Sequence, residues 1–139
     1  RIIAHMYNVA DLKDMHLYPC AYSMTFNVTG NTLNGILNQR SQDMLAASNW
    51  NVVQYSILLM MFARACGLEA GELVHVVADA HIYDRHVPIV ERILQNPQYP
   101  APRLIMDDSV TDFYKFTKDS FRLENYKYTD LDVKIPVAI

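Results

Sequence analysis

Between Tyr22 and Val28 the chain alternates, with Tyr22, Met24, Phe26 and Val28 set against Ser23, Thr25 and Asn27. A period of two is the pattern of a half-buried strand. Thr29-Gly30-Asn31 reads as a turn, and a second strand runs from Thr32 to Gln39, so the two form a hairpin. Arg40 and Ser41 then fall at its far end. Ala46-Ala47-Ser48-Asn49 loosens the chain before a long apolar stretch, Trp50 to Cys66, which Gly67 stops. A helix apolar on most of its sides is expected to be central and buried. Glu72 to Ala78, with Leu73, Val74, Val76 and Val77, reads as a buried strand. At the amino-terminal end, Arg1 to Ala4 reads as a strand and Asp11 as the cap of a short helix through Met15. Pro88 to Leu94 predicts a second helix, closed by Asn96-Pro97, with Pro97 to Pro102 a rigid connector. Arg103 to Met106 and Phe121 to Leu123 look like strands, and Phe113 to Phe116 is a further candidate. The expected fold is α+β, a mixed twisted sheet packed on one long buried apolar helix, in a single domain over residues 1–139.

Composition narrows the function classes. The chain has 139 residues, 51% of them hydrophobic and 19% charged, which suits a globular domain with a real core. A formal charge of −3 argues against DNA, RNA or an anionic membrane as the main partner. It leaves room for a small anion held by a local arginine. The apolar run from Val52 to Ala65 is broken by Gln54 and Arg64 and is too short to span a bilayer. Cys20 and Cys66 do not resemble a disulfide framework, so a reducing, cytoplasmic compartment is expected. The chain begins with Arg1 rather than Met and is expected to be a piece of something longer.

The candidate chemistry gathers around Asn38-Gln39-Arg40-Ser41-Gln42-Asp43 and Tyr18-Pro19-Cys20. A planar guanidinium next to a hydroxyl suits phosphate oxygens. A thiol attacks only as its thiolate, a form that a nearby arginine favours. Each residue also has a plain structural reading. Cys20 can be a small buried apolar residue, as Cys66 is expected to be. Arg40 and Asp43 can be a surface ion pair. His81 and Tyr83 share a face if their strand continues, either to hold a hydroxyl or as core residues. Asn51 can cap the apolar helix, or its amide can read the edge of a base. Cys20, His75, His81 and His86 show no zinc-like spacing, so no metal is expected.

In order and spacing these motifs resemble thymidylate synthase. Tyr18-Pro19-Cys20, the Gln-Arg-Ser-x-Asp block at Gln39 to Asp43, Asn51 opening the apolar helix, Asp79-Ala80-His81-Ile82-Tyr83, and the ending Val137-Ala138-Ile139 correspond to the carboxy-terminal part of that family's chain. The resemblance implies reductive methylation of dUMP to dTMP with 5,10-methylenetetrahydrofolate as co-substrate. Cys20 is then the nucleophile on uracil C6. Arg40 and Ser41 hold the 5′-phosphate, and Arg1 reaches the phosphate site of the partner in a homodimer. Asn51 reads the pyrimidine edge, His81 and Tyr83 bind the ribose 3′-hydroxyl, Asp43 contacts the pterin, and Ala138 and Ile139 close over the folate. The chain departs from the pattern at Tyr18 and Ala21 around the Pro19-Cys20 pair, at Ala46 to Trp50, and at Val77-Ala78, where the family has glycines. The family's glutamate for proton transfer is expected in an amino-terminal part not present here, so the isolated chain is expected to lack turnover. Two alternatives remain at this stage. A deoxycytidylate hydroxymethylase shares fold and nucleophile but calls for an acidic residue at Asn51. A non-catalytic dimerisation fragment is the other.

Overall fold

Three strands, β1 (Ile2–His5), β2 (Ala21–Thr29) and β3 (Thr32–Gln39), run antiparallel, each beside the next. The two-residue strand β4 (Gln42–Asp43) leads into helix α1 (Ser48–Ala65). The chain then returns as β5 (Glu69–Val77), parallel to β3, giving the sheet order β1-β2-β3-β5. A short β6 (Ala80–His81) pairs in parallel with β4. These elements come from a computed structural model that describes residues 2–136. Arg1, Ala138 and Ile139, to which the sequence assigns roles, lie outside the described residues.

The hairpin turn and the helix stop are glycine-dependent for a geometric reason. Gly30 has φ +61 at the first position of the two-residue turn between Thr29 and Thr32, where such hairpins use glycine. Gly67 has φ +67, and behind it Leu68 N–H donates to Ala63 O at 2.8 Å and Gly67 N–H to Arg64 O at 3.1 Å. That pair of bonds satisfies two of the carbonyls orphaned at the end of α1.

The core lies between one sheet face and one stripe of α1. Met24, Phe26, Leu33 and Leu37 meet Tyr55, Leu59 and Ala63, and Phe26 stands edge-on to Phe62 with ring centres 5.3 Å apart. The alternation expected in β2 holds at Met24 and Phe26, which are buried, and departs from expectation at both ends. A bulge between Ala21 and Ser23 shifts the register, so Ala21 rather than Tyr22 joins the buried set, and Val28 is exposed.

Burial also differs from expectation in α1 and β5. The α+β class and the mixed sheet on α1 are as read from the sequence. The helix, however, starts at Ser48 and is buried along Tyr55, Leu59 and Ala63 only, with Trp50 78% exposed. β5 is an edge strand whose Val74 and Val76 are open, while Leu73, His75 and Val77 turn inward. An apolar sequence shows that a surface needs cover, not which element of the chain supplies it. The register sets Ile3, Thr25, Ile36 and Val74 side by side across the sheet face away from α1. Phe113 to Phe116, a strand candidate, is instead a 3-10 turn at Phe113–Lys115, where the Asp112 side chain accepts Tyr114 N–H. Around Asp11 the structure has a 3-10 turn, Leu12–Asp14, with no side-chain cap from Asp11.

The described residues form two compact units, one up to His81 and one from Ile82 onward. The second holds helix α2 (Val87–Leu94), with Pro88 in its first turn, and the antiparallel pair β7 (Arg103–Met106) and β8 (Phe121–Glu124).

Candidate active site

Cys20 and Arg40 sit next to each other because β2 and β3 are a hairpin in register. Ala21 pairs with Gln39, so the residues just outside that pair meet, and Arg40 N–H donates to Cys20 O at 2.8 Å. The guanidinium then folds back over the segment before the cysteine. Its Nη2 donates to Tyr18 O at 2.8 Å and its Nε to Pro19 O at 3.2 Å, while Nη2 lies 3.9 Å from Cys20 Sγ. Nη1 takes part in none of these bonds. One arginine thus ties down the segment that leads to the thiol. A cavity of about 410 Å³ opens beside it, lined by Tyr7, Met15, His16, Leu17, Tyr18 and Arg40. Both cysteines are free thiols, and Cys66 is exposed rather than buried as the sequence reading had it.

Behind Arg40 stands a buried polar bracket that sequence reasoning missed. Gln39 is 2% exposed; its Oε1 pairs with His75 Nε2 at 2.8 Å and its Nε2 donates to Ser41 O at 2.9 Å. Its own carbonyl accepts Ala78 N–H at 2.9 Å. Burial pushes the His75 imidazole below its ordinary pKa. The phase of β3 carried the signal: Leu33, Leu37 and Gln39 all face inward, and a buried amide must find partners. His75 has the same inward phase as Leu73 and Val77.

Asp43 and His81 are register partners across β4 and β6, with Gln42 N–H donating to Asp79 O at 2.8 Å and Met44 N–H to His81 O at 2.9 Å. Asp43 Oδ1 accepts Leu45 N–H at 3.0 Å and Ala46 N–H at 3.1 Å, which turns the chain toward α1. His81 Nδ1 lies 3.3 Å from an Asp79 carboxylate oxygen. Asn51 is not the helix cap: that position is Ala47, and Asn51 sits inside the first turn, half-buried, its N–H bonded to Ala47 O at 3.1 Å. β6 ends at His81, so Tyr83 does not continue the same strand. It stands just before the 3-10 turn Asp84–His86, in the second unit. Among the described residues no group of three or more His, Cys, Asp or Glu is placed to hold a metal, and no helix is long and apolar enough to cross a membrane.

The family model for thymidylate synthase matches residues 1–139, the whole chain. The chain belongs to the thymidylate synthase family. The thymidylate synthase of Bacillus phage phi3T is 38% identical over 130 residues, covering 94% of this chain and 47% of the relative. Thymidylate synthase 1 of Bacillus amyloliquefaciens is 37% identical over 138 residues, covering 99% of this chain and 60% of the relative. Among solved structures, thermostable thymidylate synthase A from Bacillus subtilis superposes with a TM-score of 0.91 at 36% identity, covering 99% of this chain and 49% of that one. The chain spans about half the length of the first thymidylate synthases it matches. Within that half, Cys20 and Arg40 come together at the hairpin end with Ser41 next along the chain, and Asp43 is the register partner of His81 on the neighbouring strand.

Proposed function

We propose that this chain is the part of a thymidylate synthase that bears the nucleophile and most of the nucleotide contacts, in an enzyme converting dUMP to dTMP. The observation that supports it most is the Arg40 guanidinium bracketing Tyr18 and Pro19 while lying 3.9 Å from Cys20 Sγ. In this reading Arg40 and Ser41 hold the 5′-phosphate and aim the nucleotide so that Cys20 faces C6 of the uracil. Cys20 Sγ bonds to C6, pushing the C5=C6 electron pair toward C5 and O4. C5 then bonds to the one-carbon unit and loses its proton, that carbon parts from the folate nitrogen, and the sulfur leaves C6 as hydride reaches the new carbon, restoring the C5=C6 bond. Asn51 accepts from uracil N3–H and donates to O4, and His81 and Tyr83 take the ribose 3′-hydroxyl. When bound, 5,10-methylenetetrahydrofolate supplies the one-carbon unit and the hydride. The aromatic and apolar cavity lining of Tyr7, Leu17 and Tyr18 suits a flat heteroaromatic ring. Asp43, Ala138 and Ile139 are the residues assigned to hold the folate.

The assembly we propose is a cytoplasmic homodimer with Arg1 reaching the partner's phosphate site. What supports this reading is the open sheet face, where Ile3, 67% exposed, lies in one row with Thr25, Ile36 and Val74. The 139 residues alone lack turnover in this reading, because the acid–base group for proton transfer belongs to the remainder of the enzyme.

The experiment is Cys20→Ala in the intact enzyme. It should abolish dTMP formation and leave dUMP binding measurable; retained turnover in a clean sample rejects the assignment. Asn51→Asp tests the base reader. An ionised carboxylate only accepts, so preference should move from dUMP toward dCMP by roughly 1–3 kcal/mol. Equal losses for both nucleotides remove Asn51 from that role.

A further inference from the structure

Among its described residues the second unit buries one titratable side chain that takes no part in the chemistry proposed above. His86 is 1% exposed, at the junction of the Asp84–His86 turn and α2. Its Nε2 lies 2.9 Å from the carbonyl oxygen of Pro136, fifty positions further along. A carbonyl only accepts, so Nε2 bears the proton and donates it. On its other side His86 is bound to Tyr83: the His86 N–H donates to Tyr83 O at 2.7 Å, and the two rings meet edge to face with centres 5.5 Å apart.

The segment it grips has little other regular support. Residues 126–136 form neither helix nor strand. A segment without a backbone ladder loses more freedom when a ligand orders it, and an anchor fixed beforehand removes part of that cost. We infer that His86 is a positioning residue, tethering the carboxy-terminal tail just before Val137 to the turn that follows Tyr83. The proposed ribose contact Tyr83 and the chain up to Pro136 are thereby held to one piece of structure. The link to folate rests on the proposed role of Ala138 and Ile139; the tether itself does not.

The test has two arms. In the unsubstituted enzyme, nitrogen-15 NMR should show a slowly exchanging His86 Nε2–H, which becomes fast when residues 136–139 are deleted. Persistence of the protected proton after deletion overturns the proposal, without relying on a substitution in a buried site. In the second arm, His86→Ala should speed carboxypeptidase removal of Ile139 and Ala138 by about tenfold, the effect of one lost hydrogen bond of ordinary to upper-range strength. His86→Gln, whose amide N–H can still donate, should recover most of the protection. Digestion at the wild-type rate in folded His86→Ala also overturns the tether. With the tether loosened, the KM for 5,10-methylenetetrahydrofolate should rise by a similar factor while kcat changes less. Faster digestion with an unchanged folate KM upholds the tether and counts instead against the tail's proposed role over the folate.

Discussion

β3 is anchored by a side-chain amide near each end, and the two anchors do different work. Near its start, Asn34 Oδ1 accepts Glu72 N–H at 3.0 Å, where the pairing with β5 shifts register. Gly71 is required there, since a Cβ on it would collide with the Asn34 side chain. At its end, Gln39 joins His75 to the Ser41 carbonyl, one residue on either side of Arg40. The first anchor only joins strand to strand. The second also ties down the backbone on either side of Arg40. A side-chain amide bonding to nearby backbone is scaffold at one end, half-buried at Asn34, and part of the site's support at the other, fully buried at Gln39. Substitutions at the two ends should therefore separate stability from the phosphate recognition proposed for Arg40 and Ser41.

The largest separation is expected at Arg40. Arg40→Ala in the intact enzyme should weaken dUMP by roughly 1.5–3 kcal/mol, the usual loss for a charged hydrogen bond, and deoxyuridine much less. Equal losses for both ligands would mean that Arg40 only holds the Tyr18-Pro19-Cys20 segment. Gly71→Ala should do the reverse. Overpacking against Asn34 is expected to cost about 1–3 kcal/mol of unfolding free energy in denaturant titration, with the ratio of dUMP to deoxyuridine affinity unchanged. A shift in that ratio would join the two ends of β3 and dissolve the contrast.

The smallest effect is a pH dependence at the Gln39 end. Burial holds the folded His75 below its ordinary value, so the unfolded chain takes up a proton there first. Its contribution to stability is complete above the unfolded pKa of about 6.5 and is lost as pH falls through that value toward the folded one. The denaturation midpoint should decline on acidification through this range, and His75→Asn should flatten the decline. An identical pH profile in the variant would show that His75 is not its source.

The same contrast explains what the sequence disclosed. Tyr22 to Val28 and Thr32 to Gln39 were legible as a hairpin because period-two alternation and Gly30 are local signals. The hairpin in turn brings Cys20 to Arg40, so the centre of the site was legible as well. Gln39 and His75 were not, because their pairing depends on the parallel register of β3 and β5 across a helix crossover. His75 was weighed only as a metal ligand. The exposure of Trp50, Val74 and Val76 was hidden for a related reason: apolar runs do not say which surfaces another part of a longer protein, or another copy, covers. The bulge between Ala21 and Ser23 put Ala21 rather than Tyr22 in the buried set, with no Gly or Pro to announce it.

The central claim is that Cys20 bonds to the nucleotide that Arg40 positions. Carbon-13 NMR of dUMP labelled at C6, added to the intact enzyme, tests it most directly. Sulfur addition converts that carbon from a trigonal to a tetrahedral centre. The account predicts a new upfield signal with the unsubstituted enzyme, its loss in Cys20→Ala, and its return only at higher dUMP in Arg40→Ala. The same upfield signal from Cys20→Ala would contradict it.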